Sequence, residues 1–202
     1  LSIPVITMEK YGFDCPGVDI LFDYEKGGYM ATRHLIECGH RRIGCVAGKQ
    51  SFHVTMQRLN GYKKALEESG ISYDPDLVYF GDYTMESGYE AFSYILGQKV
   101  TAIFSMNDEM AFGIYRAARL YGVSIPEDIS IIGFDNVPFA DVMQVPLTTI
   151  GVPVIEMGKK LGEKVVELID NKEKLKEREE ILYTPRLLVR GSTKSIPPVT
   201  VI

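Results

Sequence analysis

The sequence predicts an α/β fold with parallel sheets, and three features carry that reading. Short apolar runs of β type alternate with amphipathic helical segments along almost the whole chain. Successive strand centres fall roughly 23 to 35 residues apart, about the size of a βαβ unit. Runs such as Ile129-Ser130-Ile131-Ile132 are apolar without strict alternation, which suits strands covered on both faces.

The elements follow in order. Residues 3–8 and 18–22 read as strands separated by a turn holding Gly12, Pro16 and Gly17. A helix follows over about 25–38, with Ala31, Leu35 and Cys38 on one face and Gly39 as its stop. A strand over 42–47 leads through a loop, 48–53, to a helix over 55–69 that Gly70 closes. In that helix Leu59, Tyr62 and Leu66 share a face at i, i+3 and i+7. The unit then repeats: strand 77–80 and helix 85–96, strand 100–104 and helix 108–121 with Gly122 at the stop. Strand 129–134 runs into a turn-rich segment near 137–142. A last long helix, 154–169, places Met157, Leu161, Val165 and Leu168 inward. The charge-dense stretch 171–180 reads as a solvated helix end or loop. Residues 181–189 return as a strand interrupted by Pro185, and the tail around Pro197-Pro198 is expected to be poorly ordered.

Composition excludes several functions. A chain of 202 residues can bury a core as one large domain or two small lobes. It carries 22 Lys and Arg against 27 Asp and Glu, a net charge of −5, and its longest basic run is His40-Arg41-Arg42. Such a chain does not grip nucleic acid by itself, because duplex binding needs clustered cations to neutralise phosphates. No apolar run approaches the ~18 residues of a membrane span. Cys15, Cys38 and Cys45 are sparse and lack a CxxC spacing, which favours a reducing compartment over a disulfide framework. The start at Leu1, almost inside a strand-like run, is how a fragment would begin.

In open parallel sheets ligands bind beyond the carboxyl ends of the strands. Those ends hold Glu9 after the first strand, Phe22 and Asp23 at the second, and Gly48 to His53 after the third. Tyr83, then Asn107 and Asp108, then Asp135 follow the next three, and Arg58 stands in the first turns of the helix after the Gly48 loop. Carboxylates, an amide, a guanidinium and aromatic rings along one edge suit a polyhydroxylated small molecule. Taken singly, each residue has a local reading as well. Asn107 serves as a helix cap, Asp135-Asn136 as a turn, Arg58 and Glu9 as surface charges, and Phe22 and Tyr83 as core aromatics. Their convergence on one edge is what carries the binding reading.

Catalytic and metal constellations are weak: a carboxylate pair such as Glu9 and Asp135 could do acid–base work, but nothing in the sequence shows that they meet. His34, Cys38 and His40 lack paired zinc spacing. Gly44-x3-Gly48-Lys49-Gln50 imitates a phosphate loop but is one residue short and has no Ser or Thr after the lysine. No GxGxxG follows a strand and no GxSxG elbow occurs. The expectation is a binding protein with neither cofactor nor metal, and not an enzyme.

Several stretches resemble the lactose/galactose-repressor family of bacterial transcription regulators. They begin with Asp23-Tyr24-Glu25-Lys26-Gly27-Gly28 followed by Gly39-His40-Arg41-Arg42-Ile43, then Arg58-Leu59-Asn60-Gly61-Tyr62 and Glu86-Ser87-Gly88-Tyr89. Asn107-Asp108-Glu109-Met110-Ala111 and Pro126-Glu127-Asp128-Ile129-Ser130 come next. Gly133-Phe134-Asp135-Asn136, Pro146-Leu147-Thr148-Thr149-Ile150, Pro185-Arg186-Leu187 and Arg190-Gly191-Ser192 complete the series, so the match runs in order along nearly the whole chain.

The resemblance implies two Rossmann-like lobes of periplasmic-binding-protein type, crossed near 22–23, 148–149 and 184–185, with the ligand between them. Residues 1–22 and 149–184 would form a partial N-terminal lobe, and 23–148 with 185–202 the C-terminal lobe. It implies effector contacts from Arg58, Asn107 and Asp135, beside Asp108, with Phe22 and Tyr83 lining the cleft and Glu9 near its rim. Phe52 and Val54 depart from the sugar-binding pattern, in which small hydroxyl residues precede the arginine. The implied partners are a sugar effector, a second copy of the chain, and operator DNA reached only through an N-terminal helix-turn-helix absent from this chain. The implied location is the cytoplasm, with no membrane contact. A solute-binding protein of a sugar transporter shares the fold and is the alternative.

Overall fold

The computed structural model describes residues 5–9, 17–170 and 178–197. Ile3, Pro4, Gly12, Cys15, Pro16, residues 171–177 of the charged stretch and Pro198 lie outside them. The elements begin β1 (Val5–Thr7), β2 (Gly17–Phe22), α1 (Tyr24–Glu37), β3 (Ile43–Ala47), α2 (His53–Glu68), a 3-10 turn (Pro75–Leu77), β4 (Val78–Phe80) and α3 (Met85–Gly97). They continue β5 (Ala102–Ser105), α4 (Asp108–Tyr121), β6 (Ser130–Asp135), α5 (Phe139–Val142), β7 (Thr148–Gly151), α6 (Val154–Asp170), β8 (Arg178–Tyr183) and β9 (Arg186–Leu188). The fold is α/β with parallel sheets, and it divides into two compact units. One comprises Leu1–Asp23 and Val152–Pro185, the other Tyr24–Gly151 and Arg186–Ile202.

In the larger unit six strands lie in the order β4-β3-β5-β6-β7-β9, parallel except for β9, which runs antiparallel to β7. Every residue of β3 and β5 is buried, which explains their unbroken apolar runs. The chain steps from β3 outward to β4 and then back to β5. With right-handed crossovers this reversal puts α2 and α3 on opposite faces of the sheet. Glycines let the helices pair closely. A Cβ on Gly61 would sit 2.0 Å from the Glu25 carbonyl oxygen of α1, and one on Gly28 would sit 2.2 Å from that of Arg58 in α2. Gly88 and Gly113 serve α3 and α4 in the same reciprocal way. The three glycine stops hold: Gly39, Gly70 and Gly122 all take positive φ, the left-handed conformation that ends a helix.

His40, just beyond α1, is buried and joins three parts of this unit. One ring nitrogen meets the Thr101 hydroxyl at 2.9 Å, and the other lies 3.0 Å from the Ser130 hydroxyl and 3.2 Å from the Lys194 carbonyl oxygen. Burial holds its pKa below the usual imidazole value. His34 instead meets the Thr193 hydroxyl at 2.9 Å.

In the smaller unit β1, β2 and β8 form a parallel sheet with α6 against β2. Two expectations fail here. Residues 178–180, expected in a solvated helix end or loop, are the start of β8, because Arg178 makes two bonds to the fully buried Asp19 of β2, at 2.6 and 2.7 Å. The Thr7 hydroxyl donates to the same carboxylate. On α6 the inward position expected for Val165 belongs to Lys164, seven residues after buried Met157, and Val165 is 39% exposed. The Lys164 side chain is largely buried, and its ammonium reaches Glu179 at 2.5 Å and Glu167 at 3.0 Å. In the larger unit, 148–151 is a full strand, β7, rather than only a crossing, and the turn-rich 137–142 segment includes the short helix α5.

Candidate functional site

Five of the seven expected ligand residues stand at the carboxyl ends of the larger unit's strands. This is the edge where strand order reverses, the place at which open α/β sheets hold ligands. Arg58 is central. It projects from the second turn of α2 with only 7% of its side chain exposed. One terminal nitrogen donates to the Met106 carbonyl oxygen beyond β5, and the other to Asp135 Oδ1 at 3.3 Å. The guanidinium carbon lies 3.8 Å from the centroid of the Phe134 ring, 5.0 Å from that of Tyr24 and 5.8 Å from that of Tyr83. Three electron-rich rings and one carboxylate therefore hold a fixed cation. Its Nε is buried without a hydrogen-bond partner.

Asp135 ends β6 with φ at +110°, and 35% of its side chain reaches solvent. Burial pushes its carboxyl up to about 6; Arg58 pulls against that rise and the Asp108 charge adds to it. Asp108, the first residue of α4, is fully buried and also pushed up to about 6 by burial. Its oxygens accept the Thr149 hydroxyl at 2.7 Å and the Val137 N–H at 2.9 Å. Asp108 thus ties β7 and the loop after β6 to α4. Arg190 braces the same loop, donating to the Leu147 carbonyl and to Asn136 Oδ1, each at 2.7 Å.

Asn107 caps α4, its Oδ1 accepting the Met110 N–H at 2.9 Å, while its Nδ2 donates to the Tyr83 carbonyl oxygen at 2.9 Å. The cap reading of this residue holds, and the cap also fixes Tyr83. Tyr83 takes φ of +74°, shares a 2.7 Å hydrogen bond with the Thr55 hydroxyl and packs so tightly on Gly48 that a Cβ there would meet its ring at 2.0 Å. That close approach is the part Gly48 plays. Phe52 stacks on Tyr83 with centroids 6.1 Å apart and planes at 21°. Tyr83, Asp135 and Asn136 are three of the four non-glycine residues with positive φ among the described residues, and backbone strain of this kind concentrates where function holds it.

Glu9 and Phe22 lie in the smaller unit: Phe22 is the buried last residue of β2, and Glu9 is half-buried two residues after β1. The structure therefore brings Arg58, Tyr83, Asn107, Asp108 and Asp135 together within one unit. Sequence reasoning missed Tyr24, Phe134, Thr55, Thr149 and Arg190 as working parts of that cluster. Tyr24, Phe134, Thr149 and Arg190 were visible only inside motifs, and nothing in the sequence pairs Thr55 with Tyr83. Among the described residues no group of three or more His, Cys, Asp or Glu is placed to hold a metal, and no helix is long and apolar enough to cross a membrane.

Comparison with known proteins gives a consistent picture. Residues 32–193 match the periplasmic binding protein-like domain family. The HTH-type transcriptional repressor PurR of Pasteurella multocida is 39% identical over 96% of this chain and 58% of its own length. The HTH-type transcriptional regulator DegA of Bacillus subtilis is 36% identical with the same two coverages. The chain thus spans a little under three-fifths of these relatives. A LacI family transcriptional regulator from Enterococcus faecium, solved with bound ribose, superposes with a TM-score of 0.85 and 32% identity over 96% of this chain and 71% of that one.

Proposed function

The chain belongs to the LacI family of transcription regulators, as its periplasmic-binding-protein-like effector domain, and from that membership we propose that it senses a small sugar and transmits the binding to operator DNA. The observation that carries the sugar reading is the Arg58–Asp135 pair, presented at a sheet edge among aromatic rings. An ionised carboxylate accepts two neighbouring hydroxyls, and a guanidinium held in place by aromatic rings donates to ring or hydroxyl oxygens. A relative that holds ribose supports the same class. Arg58 and Asp135 make the direct contacts, Tyr83 and Asn107 shape the wall, and Asp108 holds the loop that carries Asp135.

The remaining steps belong to the full-length protein. It binds operator DNA through a helix-turn-helix, as a homodimer whose paired recognition helices enter the major groove, in the cytoplasm. Effector changes operator affinity by binding two arrangements of the protein unequally. Repressors among the relatives favour this reading over a transporter component, and the role is binding rather than catalysis.

The test is calorimetry and thermal shift on the full-length protein across pentoses and hexoses. A hit should lose at least a hundredfold in affinity in Arg58→Ala and in Asp135→Ala. Undiminished binding in both variants would refute the assignment. Phe22→Ala and Glu9→Gln are the corresponding tests for the smaller unit.

A further inference from the structure

Tyr83 has little aromatic surface left to offer a ligand. Its ring packs on Gly48, faces the Arg58 guanidinium and carries Phe52, and its hydroxyl is bonded to Thr55. The ring of this stack that solvent reaches is Phe52, which is 47% exposed. Phe52 also stands at the N-cap of α2, where it makes no side-chain capping bond, whereas α3 and α4 begin with capping Thr84 and Asn107. An exposed phenylalanine at a position that favours Ser, Thr, Asp or Asn gives up local helix stability for something else. The Lys49 ammonium approaches the ring at 5.9 Å, the outer range of a cation–π contact, and its flexible side chain is easily displaced.

We infer that Phe52 is a specificity-determining residue that makes this site prefer a glycoside to the free sugar. The sugar ring of that ligand engages Arg58 and Asp135, and a flat apolar substituent on its anomeric carbon lies against Phe52. Nucleosides and aryl glycosides both meet this description. Polar partners for a sugar cluster at the Arg58–Asp135 side, whereas the start of α2 offers the exposed Phe52 ring and half-buried Val54. A ligand that is polar at one end and flat and apolar at the other fits both ends. This inference rests on the sugar reading above.

The experiment is calorimetry on the full-length protein with matched pairs: ribose and adenosine, glucose and phenyl β-glucopyranoside, galactose and phenyl β-galactopyranoside. In at least one pair the glycoside should bind at least tenfold tighter than its parent sugar. Phe52→Ser should shrink that ratio at least fivefold and Phe52→Tyr should keep it, whereas general damage to the site would weaken both members alike and leave the ratio standing. A parent sugar that binds as tightly as its glycoside in every pair, or a ratio unchanged in Phe52→Ser, overturns the inference and leaves the sugar reading intact. If no sugar or glycoside binds, the sugar reading falls and takes this one with it.

Discussion

At Asp135 the needs of the fold and of the proposed binding role pull in opposite directions. Its carboxyl is pushed up to about 6, and only the ionised form accepts two hydroxyls. Effector affinity should therefore be flat above pH 7 and fall as pH drops through 6, approaching tenfold per pH unit; titrations at several pH values in one buffer series check this. Stability has the reverse slope. A carboxyl raised in the folded state above its unfolded value near 3.8 stabilises fully below that value and loses the contribution as pH rises through about 6. Asp135 and Asp108 share this sign, so Asp135→Asn should flatten the unliganded protein's stability curve between pH 4 and 6. Asp108→Ala strands the Thr149 hydroxyl and the Val137 N–H, and should cost about 1–3 kcal/mol in urea unfolding. The sequence showed that Asp108 and Asp135 end up at strand edges. It could not show that Thr149 would be the partner of Asp108, because that contact depends on β7 lying beside β6. The same holds for Arg58: its charge is plain in the chain, but its rings come from the start of α1, the end of β6 and the loop after β4.

At the scale of elements, glycine plays two different parts. Gly122 ends α4 at φ +69° with open space around it, so Gly122→Ala should cost only the conformational strain, about 1 kcal/mol. Gly61→Ala drives a Cβ into the backbone of α1 and should cost more, seen as a larger fall in Tm than for Gly122→Ala. The stop glycines were legible because each follows a run of helical periodicity. Gly61 was not, since inside a helix a glycine reads only as lost propensity until the neighbouring helix is known. The edges of β8 and the inward face of α6 escaped for a related reason. Charge suggested solvent, but Arg178 and Lys164 meet acidic partners that only the folded sheet supplies.

Over the whole molecule the chain passes from the smaller unit to the larger one after Asp23, returns at Val152 and leaves again after Pro185. Local pattern alone gave α/β with parallel strands; the assignment of segments to two bodies came from the order of motifs, because hydrophobic period does not say which sheet a strand joins. The units differ in how deeply their helices are buried. α4 buries eight of its 14 residues and α6 two of its 17. Hydrogen exchange on the 202-residue chain should therefore deuterate α6 well before β3 and β5, and equal protection would contradict that ranking.

The Phe52–Tyr83 stack has an optical consequence. The chain contains 12 tyrosines and no tryptophan. Phe52→Trp would thus install one indole, half in solvent, beside the half-buried Tyr83 ring. Excited to the red of tyrosine absorption, it would report alone on its surroundings within this chain. Its emission should shift to the blue as water leaves the ring, turning ligand occupancy into a colour that can be followed in real time.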